Sequence, residues 1–251
     1  MPEITAELKE KMKILKISEM AKVLDDFLLE AETKELSYQR FLHKLINYEL
    51  LKRDEKQRDK WLKWAAFPEY KTLDNFNLAE QQSLSKRQLE QLRELLWVEK
   101  MYNLLLLGPP GVGKTLLSIG LGIEAINHGY KVSFIQMGDL IHLFKTQEIS
   151  RSSNARMKRI ISSDLVIIDD LMFMAMDSTE ANMFFQLINK LYGQSSIIIT
   201  SNKGPEDWGE LLGDPAITTA ILDRIIHKCE VIHLNGDSYR VKHRQTIFGN
   251  N

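Results

Sequence analysis

Apolar residues recur every three or four positions along the first 66 residues of the chain, which is the spacing of amphipathic helices. No glycine occurs in this stretch, and proline is absent between Pro2 and Pro68. Ser37 precedes the last of three such runs and is suited to cap a helix. The pattern predicts a small all-helical domain over residues 1–68. The apolar residues of the three runs are Leu8, Met12 and Leu15, then Met20, Leu24, Phe27 and Leu28, then Phe41, Leu45, Tyr48 and Leu51.

From about residue 73 the pattern changes to short apolar runs that alternate with helical sequence. Helical spacing is clearest at residues 83–100 and 114–128. Apolar strands that alternate with helices are typical of a parallel sheet covered on both faces. We therefore predict an α/β domain over residues 69–251, with its sheet sandwiched by helices. The predicted strands are Asn103–Leu107, Lys131–Met137, Leu165–Asp169, Ser196–Thr200 and Glu230–Leu234.

The first of these strands runs directly into a glycine-rich octapeptide, Gly108–Thr115, with the sequence GPPGVGKT. Glycines let successive backbone N–H groups turn towards phosphate oxygens, next to a helix N-terminus that favours anions. We expect Lys114 to add a positive charge beside the phosphates and the Thr115 hydroxyl to ligate Mg²⁺. An ordinary glycine-rich turn is a poor alternative, so the loop predicts a site for a nucleoside triphosphate with Mg²⁺. The predicted nucleotide contacts are Gly108, Pro109, Pro110, Gly111, Val112, Gly113, Lys114, Thr115 and Leu116.

Two later strands end in polar residues that suit the same site. Asp169 and Asp170 end the strand that begins at Leu165. Because ligands bind beyond the carboxyl ends of parallel strands, we expect Asp169 to hold the hydration shell of Mg²⁺ and Asp170 to polarise the attacking water. Asn202 follows the strand that begins at Ser196 and could orient that water. Considered alone, Asn202 is equally well explained as a residue that merely ends a strand.

The composition excludes several classes of protein but does not show whether the chain binds nucleic acid. The chain has 251 residues, with 33 Lys and Arg against 34 Asp and Glu, so any affinity for nucleic acid must come from local patches. Cys229 is its only cysteine, which excludes an internal disulfide and a zinc site built on cysteines. The N-terminus lacks the features of a signal peptide, and no apolar run is long enough to span a membrane. We expect a cytoplasmic protein.

The order of the motifs resembles that of the AAA+ ATPases, in which Walker A, Walker B and sensor 1 follow one another. More narrowly, the chain resembles the IstB-like transposition helper ATPases of bacterial insertion sequences, which are related to the helicase loader DnaC. The resemblance spans nearly the whole chain and implies an AAA+ P-loop fold without a C-terminal lid domain. The segments that carry it are Asp169–Leu171, Ile199–Lys203, Trp208–Glu210, Gly213–Pro215, Ile221–Arg224 and Gly236–Arg240.

The resemblance also implies catalytic roles for two arginines. Arg224 matches the arginine finger, which reaches the γ-phosphate bound by a neighbouring subunit. Without the resemblance, a surface arginine paired with Asp223 or Glu230 is the default interpretation. Arg240 matches sensor 2. Asp170 stands where most AAA+ proteins have Glu, and because its side chain is shorter by roughly one bond length, we expect slow hydrolysis.

A basic and polar segment lies between the second and third predicted strands, where related initiators and loaders carry a helix that faces nucleic acid. Short polar and basic side chains suit contacts to phosphates, which bind DNA without reading its sequence. A solvated helix face is an equal alternative for each residue. The candidate DNA contacts are Lys145, Arg151, Arg156, Lys158 and Arg159.

With the resemblance, these residues favour an ATP-dependent DNA-binding transposition helper with slow ATP hydrolysis. The resemblance implies a homo-oligomer that assembles through its ATP interfaces on duplex target DNA and recruits or stimulates its transposase. The N-terminal helices are the expected contact to neighbouring subunits or to the transposase. A replicative helicase loader of the DnaC type is one alternative, and the sequence separates the two poorly. A P-loop small-molecule kinase is a weaker alternative, because the sequence offers no obvious lid with an acceptor pocket.

Overall fold

The computed structural model describes residues 2–78, 83–171 and 175–242, without the side chains of residues 2, 3, 210, 211 and 240. The chain divides into two compact units, residues 1–60 and 61–251. The division falls inside a long helix, a few residues before the predicted boundary at Pro68. It does so because Trp61, Leu62 and Ala65 of that helix pack into the core of the second unit. Among the described residues, no helix has both the length and the apolar character needed to cross a bilayer.

The first unit is helical, as the spacing predicts. It comprises α1 (Pro2–Ile14), α2 (Ser18–Thr33) and most of α3 (Tyr38–Ala65). Ser37 caps α3, since its hydroxyl accepts a hydrogen bond from the N–H of Arg40. The buried Glu49 carboxylate of α3 accepts the N–H of Met20 at 2.8 Å, which satisfies a backbone donor in the first turn of α2. This bond joins α2 to α3 beside the small apolar core of the unit.

The second unit is built on a five-stranded parallel sheet, and the predicted sheet is confirmed. Its strands lie in the order β2-β3-β4-β1-β5, so β4 lies between β3 and β1. The register pairs Leu104 with Ile198 across β1 and β4, and Ile167 with Ile198 across β3 and β4. All five strands end at the same edge because all pairings are parallel. The strands are β1 (Asn103–Leu107), β2 (Val132–Gln136), β3 (Leu165–Asp169), β4 (Ser196–Ser201) and β5 (Cys229–His233).

Helices cover both faces of this sheet. Because side chains alternate along a strand, Leu104 and Leu106 of β1 pack on one face while Leu105 and Leu107 pack on the other. The face with Leu104 carries α4, α5, α6 and the last turns of α3, and the opposite face carries α7 to α11. These helices and the last one, α12, are α4 (Lys86–Arg93), α5 (Leu96–Glu99), α6 (Lys114–Asn127), α7 (Met137–Thr146), α8 (Arg151–Ile161), α9 (Ser178–Leu191), α10 (Trp208–Leu212), α11 (Pro215–Ile226) and α12 (Tyr239–Lys242).

The helix predicted over residues 83–100 is wrong as a single element. Ser85 and Gln88 form a capping box at the start of α4, and the helical conformation is interrupted at Leu95, before α5. Leu95 is buried and has a φ of 58°, a left-handed conformation that no helix can include. The hydrophobic spacing could not show this break, since Leu92 and Val98 on either side are also buried.

Candidate functional site

The phosphate loop connects the carboxyl end of β1 to the start of α6 and needs glycine at two close approaches. A Cβ on Gly108 would lie 2.0 Å from the carbonyl oxygen of Leu234. A Cβ on Gly111 would lie 2.1 Å from the Ser238 hydroxyl, and both glycines have positive φ, 149° and 85°. The chain that follows β5 therefore lies directly against the loop. The N–H of Tyr239 also donates to the carbonyl of Gly111 at 3.0 Å.

The Lys114 ammonium folds back over this loop. Its Nζ donates to the carbonyl of Gly108 at 2.6 Å and to that of Pro109 at 2.9 Å. Gly108 in turn donates its N–H to the carbonyl of Ser201 at the end of β4, at 3.2 Å. The positive charge is thereby held at the mouth of the loop, where phosphate oxygens are better acceptors than neutral carbonyls.

Asp169 lies at the end of β3, immediately beside Thr115. The Thr115 hydroxyl contacts both carboxylate oxygens, Oδ1 at 2.9 Å and Oδ2 at 3.2 Å. Asp169 is only 4% exposed, and this burial raises its pKa, while hydrogen bonds from the hydroxyls of Thr200 and Thr115 oppose the rise. A hydroxyl and a carboxylate are the oxygen ligands that Mg²⁺ prefers. The residues present therefore fit the predicted metal.

The two predicted water-positioning residues lie at the same edge of the sheet. Asp170 is exposed and has a φ of 57°, and its N–H donates to the Thr200 hydroxyl at 2.9 Å. Asn202 is also exposed and directly follows β4, the strand between the acids of β3 and the loop after β1. The structure thus brings the phosphate loop, Asp169, Asp170 and Asn202 to one edge.

A cavity of about 390 Å³ opens beside the loop. Of the predicted nucleotide contacts, residues 111–116 line it, whereas Gly108, Pro109 and Pro110 do not. Sequence reasoning missed its other walls, which come from the segment before α4 and the segment after β5. The sequence carries only a weak signal for the first, a polar stretch after Pro68. Of the second, Asp237 and Tyr239 lie within the Gly236–Arg240 segment. The additional lining residues are Glu69, Lys71, Asn75, Phe76, Asn77, Asn235, Asp237 and Tyr239.

The two predicted catalytic arginines are placed differently. Arg224 does not line this cavity; it lines a second one, of about 140 Å³, with Asn103 and Ile197 from the beginnings of β1 and β4. Its Nε donates to the Asn189 side chain at 3.0 Å and its Nη1 to the carbonyl of Ala220 at 2.8 Å. Arg224 therefore lies at the amino edge of the sheet, opposite its own phosphate loop. The side chain of Arg240 lies outside the described residues, and its backbone belongs to α12.

Two of the predicted DNA contacts form bonds within the protein. Arg156 is half-buried, and its guanidinium donates to the carbonyls of Trp64 at 2.7 Å, Ala65 at 3.3 Å and Phe134. Burial lowers its pKa, as expected for a cation withdrawn from water. Lys145 pairs with the buried Glu180 carboxylate at 2.7 Å, a hydrogen bond that raises the pKa of Lys145. The Arg156 guanidinium is therefore engaged within the protein, whereas the Lys145 side chain is paired but remains exposed.

The other three predicted DNA contacts lie on α8. Arg151 and Lys158 are exposed on α8, and Arg159 is half-buried. Ser152 and Asn154 are exposed on the same helix, while Met157 and Ile160 face the core. We call Arg151, Ser152, Asn154 and Lys158 the outer face of α8.

Comparisons with known proteins agree with this architecture. The family described as "IstB-like ATP binding protein" matches residues 10–247. A protein of Bacteroides fragilis whose name refers to an IS21-like insertion sequence and to ATP binding is 38% identical over 97% of this chain and 93% of its own length. A protein of Pseudomonas aeruginosa, named after insertion sequence IS21 and ATP binding, is 35% identical over 95% of this chain and 90% of its own.

Solved structures share the fold of about two thirds of the chain. DnaA from Aquifex aeolicus bound to AMPPCP matches with a TM-score of 0.56 and 23% identity, over 70% of this chain and 54% of that one. DnaI matches with a TM-score of 0.54 and 20% identity, over 68% of this chain and 90% of that one. The expected AAA+ P-loop fold is confirmed. From its sequence match and its fold, the chain belongs to the family of IstB-like ATP-binding proteins.

Proposed function

We propose that this chain is an ATP-controlled, DNA-binding helper of transposition. The observation that carries the proposal is the meeting of the phosphate loop, the Thr115 hydroxyl and the buried Asp169 carboxylate at one edge of the sheet. Membership of the IstB-like family and the names of the relatives support the link with insertion sequences.

ATP is the proposed ligand of the cavity beside the loop. Backbone N–H groups of the loop bind the β- and γ-phosphates, and Lys114 exchanges its bonds to the Gly108 and Pro109 carbonyls for phosphate oxygens. Thr115 and Asp169 would hold Mg²⁺, which when bound neutralises charge on the phosphates. The cavity leaves space for the nucleoside beside Phe76.

Hydrolysis is proposed to depend on Asp170 and Asn202, which are both exposed and lie at this edge. Asp170 accepts a proton from the attacking water while Asn202 orients that water. Because the Asp side chain is shorter than the usual Glu, turnover is slow and ATP acts more as an assembly switch than as fuel.

Assembly into a homo-oligomer completes the site. Arg224 lies at the amino edge of the sheet, away from its own loop, so it can act on ATP bound by a neighbouring copy. Arg240 is proposed as sensor 2, since the preceding Tyr239 is bonded through its N–H to the phosphate loop. The helical unit of residues 1–60 is proposed to contact neighbouring subunits or the transposase.

Duplex DNA is the proposed substrate of the assembled form, bound by the outer face of α8 and Arg159. Contacts of this kind are made to phosphates, so affinity should depend steeply on salt and weakly on sequence. The DNA-bound complex then recruits or stimulates the transposase of the same element.

The test compares particle mass and duplex-DNA binding with ATP, with ADP and for Lys114→Ala, using Lys190→Ala on the exposed face of α9 as a matched lysine control. We expect ATP-dependent growth in mass and DNA binding in the wild type and in Lys190→Ala, and neither in Lys114→Ala. Monomers that ignore both ATP and DNA would overturn the proposal. Preference for single-stranded DNA together with capture of a replicative helicase would instead identify a helicase loader.

A further inference from the structure

Thr200 of β4 holds three consecutive residues at the end of β3. Its carbonyl accepts the N–H of Leu171 at 3.0 Å. Its hydroxyl accepts the N–H of Asp170 at 2.9 Å and donates to Oδ1 of Asp169 at 2.7 Å. Thr200 is 1% exposed, so water has little access to replace these bonds.

These bonds have a fixed direction. A hydroxyl has one proton, and here that proton goes to Asp169, so the lone pairs of the same oxygen accept the Asp170 N–H. Two bonds in series through one hydroxyl strengthen each other, because each polarises the oxygen for the other. The series fixes both the peptide between the two acids and the rotation of the Asp169 carboxylate.

The two bonds of the Thr200 hydroxyl stabilise the backbone of Asp170 and the orientation of the Asp169 carboxylate. Asp170 has a φ of 57°, a conformation that is uncommon for a residue with a side chain and that persists where its surroundings hold it. Asp169 receives hydroxyls from two sides, Thr115 and Thr200, and both reach Oδ1. With Oδ1 held in this way, the orientation of Oδ2 towards Thr115 is set as well.

We propose that Thr200 is a positioning residue for both acids, one that sets Asp169 for the metal and Asp170 for the water. The inference rests on the proposed function, because it concerns the same ATP site. Thr200 touches neither nucleotide nor metal in this role and acts through the two carboxylates. It is distinct from Asn202, which lies exposed beyond the end of the strand.

The test uses Thr200→Val, which keeps the shape of the side chain and removes the hydroxyl, and Thr200→Ser, which keeps the hydroxyl. Thr218→Val is the matched control, since Thr218 is also buried and its hydroxyl donates to the Asp214 carbonyl in α11. Two quantities are measured besides turnover: equilibrium affinity for a non-hydrolysable ATP analogue with Mg²⁺ and with EDTA, and the thermal midpoint of unfolding.

In Thr200→Val we expect the gain in affinity that Mg²⁺ provides to fall by about 10- to 100-fold, with a similar fall in turnover, as for other residues that orient metal ligands. Affinity in EDTA should change little. Thr200→Ser should restore most of the Mg²⁺-dependent gain in affinity and most of the turnover, and Thr218→Val should resemble the wild type.

Several outcomes would overturn the inference. An unchanged Mg²⁺-dependent gain in Thr200→Val overturns it alone, as does a Thr200→Ser variant as impaired as Thr200→Val, which would make shape the cause. Equal losses with Mg²⁺ and with EDTA would assign Thr200 a general structural role. A wild-type chain that binds no analogue at all overturns the proposed function as well.

Discussion

Arg156 offers the sharpest test of how the basic segment is divided between folding and DNA binding. In Arg156→Ala, three backbone carbonyls lose their donor: those of Trp64 and Ala65 in the last turn of α3 and that of Phe134 in β2. The last carbonyls of a helix have no N–H donor within the helix, so the Arg156 guanidinium takes the place of that donor for Trp64 and Ala65. The residue therefore stabilises the second unit.

The magnitude follows from which carbonyls water can reach. Ala65 and Phe134 are buried, whereas Trp64 is partly exposed and water can replace its bond. Two lost bonds to a charged donor, at about 1.5 kcal/mol each, give a destabilisation of about 3 kcal/mol. For a chain of this size this corresponds to a fall of roughly 6–12 °C in the midpoint of thermal unfolding.

Lys158→Ala is the matched control, because Lys158 lies two residues further along α8 and is exposed. Its stability should stay within about 0.5 kcal/mol of wild type. Its affinity for duplex DNA should fall, and the slope of log affinity against log salt should decrease by about 1. Unfolding is followed by tryptophan fluorescence and DNA binding by anisotropy, at a temperature where Arg156→Ala is folded. An Arg156→Ala variant of wild-type stability that loses DNA binding and salt dependence would refute the reasoning.

Two further variants probe the proposed chemistry. Asn189→Ala removes the acceptor that holds Nε of Arg224, so turnover should fall several-fold while ATP affinity is unchanged. Asn182→Ala, seven residues earlier on α9, is the control. A normal rate in Asn189→Ala would argue against a role for this contact. Asp170→Glu should raise turnover by moving the carboxylate roughly one bond length closer to the water. Steady-state ATP hydrolysis by the protein assembled on DNA is the measurement for both variants. An unchanged rate in Asp170→Glu would contradict the explanation of slow turnover.

Much of the fold could be predicted because burial leaves a direct pattern in the sequence. The parallel strands are buried on both faces, so they appear as continuous apolar runs, and all five occur within one or two residues of their predicted bounds. The phosphate loop could be located for a similar reason, since its backbone geometry requires particular residues in a fixed local order. The break at Leu95 left no such pattern, because apolar residues lie on both sides of it.

The roles of individual polar side chains depended on contacts distant in sequence. Thr200 could not be found in this way, because its partners in β3 lie about thirty residues away. The burial of Arg156, by contrast, does leave a signal in the sequence. Arg156 lies four residues before the buried Ile160 and next to the buried Met157, which places it towards the core side of α8, whereas Lys158 lies on the outer side.

The position of β4 explains why so much of the site depends on this one strand. It lies between β3, which carries the acids, and β1, which leads into the phosphate loop. Near its carboxyl end, Thr200 bonds both acids and Ser201 accepts the N–H of Gly108. At its amino end, Ile197 donates its N–H to the Asn103 side chain, which in turn donates to the carbonyl of Ile225, the residue after Arg224. A strand six residues long therefore connects the proposed ATP site to the helix that carries the proposed arginine finger. Because the residues of β4 are buried, we expect the strand to move as one body. In the proposed oligomer, this gives ATP bound at one subunit a physical route to the arginine offered to the next.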